Sequence, residues 1–116
     1  MREIPQCERL ISEEYRIAAK EWVAAEDAAF LLMENKKSTF SQMVLRRRED
    51  AEPKTPYWLL EAAVYASPEW IAYIEEMAKA RTAANKAKVK MKWVEMRFQE
   101  QNSAQAAARI ERRLSQ

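Results

Sequence analysis

Residues 85–101 read NKAKVKMKWVEMRFQEQ. From Lys86 to Lys92 a lysine stands at every second position with an apolar residue between, which is the alternation of a strand with one basic face. A helix accommodates the same residues differently. Lys86 and Lys90 then share one flank, Lys88 and Lys92 another, and Met91, Val94 and Phe98 point together toward a partner. Lys, Met, Glu, Ala, Gln and Arg are strong helix formers, no turn residue bounds the stretch, and a lone strand would have nothing to pair with. The stretch is therefore predicted to be helical.

The apolar spacing extends well beyond it. Met77, Ala80, Ala84, Ala87, Met91, Val94 and Phe98 recur at alternate steps of three and four, followed at the same spacing by Gln101, Gln105 and Ala108. An earlier segment repeats the pattern with Ile11, Tyr15, Ala18, Trp22, Ala25, Ala29 and Leu32, and Phe30 and Met33 widen that stripe. Two long amphipathic helices follow. Residues 1–34 carry four Lys/Arg against eight Asp/Glu, whereas residues 79–113 carry ten against three, so antiparallel pairing sets an acidic arm beside a basic one.

Punctuation marks the rest. Thr55-Pro56 and Ser67-Pro68 each place a capping hydroxyl before a proline at a first helical position. After Pro68 neither proline nor glycine occurs, which permits one very long helix. Ser38, Thr39 and Ser41 predict a break, with Thr39 as cap and Gln42 reaching back; a continuous but kinked helix is the alternative. Tyr57, Trp58, Leu59, Leu60, Val64 and Tyr65 make the short segment after Pro56 apolar almost all round, so it is expected to be buried or to bind something. The expected fold is all-α: a single domain over 1–116, with helices at about 12–35, 39–50, 56–66 and 68–113, forming a long antiparallel, coiled-coil-like hairpin whose closed end carries the short aromatic helix.

Composition narrows the chemistry. Among 116 residues there is no glycine and no histidine, and there is one cysteine. Phosphate-cradling loops and nucleophile elbows depend on glycine, so neither is expected. Without histidine the commonest general acid or base is missing, and Cys7 alone supports neither an internal disulfide nor a zinc site. The acidic pairs Glu13-Glu14, Glu26-Asp27, Glu49-Asp50 and Glu75-Glu76 raise a metal-dependent hydrolase as a third reading, but neighbours on a helix point about 100° apart and no Glu-x-x-Asp pair converges on one ion. The expectation is a non-enzymatic protein without cofactors, cytoplasmic, with no apolar run long enough to span a membrane.

Binding surfaces remain. Arg81, Lys86, Lys88, Lys90, Lys92 and Arg97, with Lys79, form a basic stripe interrupted only by Glu95, and Trp93 falls among them outside the apolar stripe. A cationic track with an exposed aromatic is what single-stranded nucleic acid binding requires, and duplex DNA would meet the same charges. The competing reading has these lysines solvating an outer face and pairing with the acidic first helix. A rival function is a protein-interaction module working through Tyr57, Trp58 and Trp70, or through self-association. The C-terminal QNSAQAAARIERRLSQ extends past its expected partner with Ile110 and Leu114 available, free to fray, to dimerise or to dock onto another protein, and self-association into a homo-oligomer is expected.

The run EEMAKARTAANKAKVKMKWVEMRFQEQNSAQAAARIERRL resembles the C-terminal half of small helical proteins encoded in tailed-phage and prophage regions near recombination and replication genes. Glu75 and Glu76, Ala80 and Arg81, Ala84 and Asn85, Lys88 and Val89, and Arg109–Arg113 carry the likeness, over about a third of the chain. The resemblance implies a bacterial host cytoplasm and an accessory role in DNA metabolism, possessing no catalytic residue to transfer.

Overall fold

The computed structural model describes residues 10–115. Helices span Ile11–Glu34 (α1), Lys36–Asp50 (α2), Tyr57–Tyr65 (α3) and Pro68–Ser115 (α4). There is no strand among the described residues, and Lys86–Lys92 lies inside α4, so the alternation of lysines is a coincidence of composition. Two compact units share α1 and α4: one takes the chain up to Ala24 together with the chain from Ala84 onward, the other takes Ala25–Ala83. In both, α1 runs antiparallel to α4.

In the first unit Ala18, Met91 and Val94 are buried together, with Tyr15, Ala19 and Trp22 packed around them, and Ala84 is also buried. All are residues of the two predicted stripes or their immediate neighbours. Alanine at these places lets the helix axes approach closely, so the larger Met91 and Tyr15 interdigitate rather than stand apart. The Trp22 indole N–H is buried there with no acceptor among the described residues. Phe98 is the last half-buried position of α4; Gln101, Gln105 and Ala108 are exposed like every residue from Gln99 to Ser115. α1 begins at Ile11, which lies beside Phe98 and Gln101, so α4 runs on past the start of its partner helix, and its stripe turns polar at the same place.

The second unit is built on an aromatic cluster. Val44, Leu60, Val64 and Trp70 are buried, and Phe40, Met43, Ala51 and Tyr73 pack against them. Phe40 meets the Tyr65 ring at 4.7 Å and the Trp70 ring edge-on at 5.0 Å, while Trp70 stacks on Tyr73 at 5.5 Å. The Tyr73 hydroxyl donates to the Leu32 carbonyl, tying α4 to α1. Phe40, Met43 and Val44 recur at the i, i+3, i+4 spacing of a buried helix face, although Phe30 and Met33 of the earlier stripe are exposed.

Ser67 caps α4 as its sequence predicts. Its hydroxyl accepts from the Trp70 backbone N–H at 3.3 Å and donates to the Val64 carbonyl at 2.6 Å. Thr55 does not do the same for α3: the cap residue is Pro56, in extended conformation and with no side-chain hydrogen bond, and Thr55 instead offers its carbonyl to Arg48 at 2.8 Å. The predicted break at Thr39 also moves. Only Asn35 leaves the helical path, at φ −86° and ψ 0°, and backbone bonds continue through it, from Asn35 N–H to Leu31 and from Thr39 N–H to Asn35. The kinked-helix alternative describes this joint better, because a ladder that needs no side-chain cap leaves Thr39 inside α2.

Met91→Ala is expected to cost about 2–5 kcal/mol of stability by opening a cavity in the seam. Met96→Ala, on the exposed face of the same helix, is expected to cost no more than about 0.5 kcal/mol. Urea unfolding midpoints of the two variants measure the contrast.

Candidate nucleic-acid interface

The basic residues of α4 divide by their angular position around the helix. Lys86, Val89, Lys92, Trp93 and Met96 form the outer face, opposite the buried Met91 and Val94, and all five are exposed. Lys90 and Arg97 sit at the edge of the seam. There Lys90 Nζ lies 3.2 Å from Glu21 Oε2 and Arg97 Nη1 lies 3.6 Å from Glu14 Oε2. Glu21 follows Glu14 by seven residues and Lys90 precedes Arg97 by seven, so both pairs obey one antiparallel register. The Lys90–Glu21 pair is exposed and the Arg97–Glu14 pair partly so; surface pairs contribute about 0.2–1 kcal/mol each and serve mainly to fix that register.

Lys86, Lys88 and Lys92 form no ion pair among the described residues. Lys88 faces the opposite edge of the seam from Lys90. Arg81 belongs to the other unit, where its guanidinium lies 3.6 Å from the Met33 sulfur. The six predicted residues of the first unit therefore spread around α4. Lys86, Lys92 and Trp93 share one surface, with Arg97 reaching over from the seam edge.

Trp93 is 57% exposed and the Arg97 guanidinium carbon lies 4.9 Å above its ring centre. One side chain thus joins Glu14, through charge, to Trp93, through a cation–π contact that is worth about 0.5–1 kcal/mol at an exposed site. Glu14 itself is mostly sheltered, with its side chain 18% exposed. Val89 and Met96, one turn before and after Trp93, extend its apolar surface; their i, i+4, i+7 spacing was legible in the sequence as a second stripe.

The aromatic residues expected to meet a partner separate as well. Trp70 is 6% exposed and closes the core of the second unit, so it is a packing residue. Its position three residues into a capped helix turns it inward against Phe40 and Tyr73. Tyr57 and Trp58, in the first turn of α3, are exposed at 55% and 69%, beside the exposed Leu59. Between α2 and α3 a groove of about 550 Å³ has a floor of Met43, Leu60 and Val64 and a rim of mixed charge from Arg46, Arg47, Asp50 and Glu69. Among the described residues no three His, Cys, Asp or Glu side chains gather closely enough to hold a metal ion, and no helix is long and apolar enough to cross a membrane.

Trp70→Ala is expected to lower stability by about 3–5 kcal/mol, whereas Trp58→Ala stays within about 0.5 kcal/mol of the parent. Thermal unfolding followed by circular dichroism separates a packing tryptophan from a presented one. No protein-family model, curated protein or solved structure matches the chain.

Proposed function

We propose that the protein is a non-enzymatic accessory of phage-type DNA recombination or replication that contacts single-stranded nucleic acid through the outer face of α4. The observation that carries the reading is Trp93: a large indole held in solvent, with Arg97 over one side and, on the same outer face, Lys86 and Lys92, which form no ion pair among the described residues. Leaving so large an apolar ring in water forgoes its burial energy, and stacking on an unpaired base recovers it. The lysines supply the phosphate attraction that holds the backbone alongside. A duplex presents no free base face to the indole, which favours the single strand. The setting in DNA metabolism rests on the resemblance of residues 75–114.

A second reading has its own observation. Tyr57, Trp58 and Leu59 are three consecutive exposed apolar residues at the start of α3, and such a patch suits a protein partner. The two differ in salt response, since a base-stacking cationic face weakens with ionic strength and an apolar contact does not.

Fluorescence anisotropy of a labelled oligothymidylate at low salt tests the first. Trp93→Ala is expected to lose about 1–3 kcal/mol of binding, roughly 5- to 150-fold in affinity, and Lys86→Glu with Lys92→Glu to abolish it. Binding that is indifferent to Trp93, or absent at low salt, overturns the proposal.

A further inference from the structure

Two of the cations nearest Trp93 are already engaged. Glu21 holds Lys90 at 3.2 Å and Glu14 holds Arg97 at 3.6 Å, and both carboxylates come from one flank of α1, one heptad apart. We infer that Glu14 and Glu21 act as built-in competitors of phosphate, withholding Lys90 and Arg97 from a bound strand and confining it to the outer face. The inference rests on the nucleic-acid reading of that face.

The chemistry is that of like acceptors on the same donors. A carboxylate oxygen and a phosphate oxygen take the same N–H groups of an ammonium or guanidinium. The carboxylates are tethered to the same fold, so their effective concentration at the cations stays high whatever the concentration of oligonucleotide. A phosphate that displaces one gains a partner already neutralised, and releases little net counterion because the freed carboxylate acquires its own. Arg97 is then left to serve Trp93: held by Glu14, its guanidinium lies over the ring, and the indole remains 57% exposed.

The salt dependence follows. With Lys86 and Lys92 as the free cations on the face, a single strand is bound with a slope of log K against log salt near −1.4, from about −0.7 per phosphate contact. Freeing Lys90 and Arg97 raises the contacts to four and the slope to about −2.8.

Glu14→Gln combined with Glu21→Gln keeps the side-chain shapes and removes the competing charges. Glu26→Gln combined with Asp27→Asn adds the same net charge on α1, where neither acid forms an ion pair among the described residues. Against labelled oligothymidylate the first double variant is expected to bind about 2- to 30-fold tighter, with the steeper slope; that range is the release of two surface pairs at about 0.2–1 kcal/mol each. The second is expected to leave the slope unchanged. Equal tightening by both double variants, or none by the first although the parent binds, overturns the competition and leaves the Trp93 face intact. Failure of the parent and both variants to bind at low salt overturns the face itself and this inference with it. Matching helical circular dichroism establishes that the variants are folded.

Discussion

Close approach of two helices over small side chains is the constraint on which the other features depend. Ala18 and Ala84 are buried, and beside them Met91 and Val94 fill the space that larger residues at those places would have claimed. The register so fixed decides which charges meet. Because the seam lies where it does, Glu14 and Glu21 face Arg97 and Lys90, Trp93 is carried to the opposite side, and Lys86 and Lys92 go with it. A one-residue slip would turn the indole toward the seam edge and uncouple both ion pairs.

Much of this was legible in the residues. The alternating steps of three and four from Met77 to Phe98 and from Ile11 to Leu32 identify half-buried or buried positions throughout, and Ser67-Pro68 marks the start of α4. Less legible was anything that depends on a contact between distant segments. Thr55-Pro56 and Ser67-Pro68 look alike on paper, yet only Ser67 has its hydroxyl pinned between a carbonyl behind it and an N–H ahead of it. Thr39 has the neighbours of a capping box but lies within a ladder that never needs one.

The tryptophans illustrate the same limit. Trp93 lies outside the apolar stripe in the sequence and is exposed in the structure, but no such spacing separates Trp58 from Trp70. Trp70 is buried because Phe40, thirty residues earlier, closes on it beside its own helix neighbour Tyr73; Trp93 is exposed because the seam was already occupied by Met91 and Val94. The basic stripe divides for a related reason. Charge along a chain is one-dimensional, but around a helix it is angular, and only Lys90 and Arg97, at the seam edge nearest Glu21 and Glu14, meet carboxylates across the seam among the described residues.

The connections between helices hold a last consequence. No described residue adopts a positive φ, and the corner between α3 and α4 is turned by Ala66 at φ −88° and ψ −3°, a conformation open to every amino acid but proline. In most folds a few joints accept glycine alone and stand as fixed points against sequence drift. Here the described backbone imposes no such veto, so the limits on its variation come from packing and charge rather than from the geometry of the chain itself.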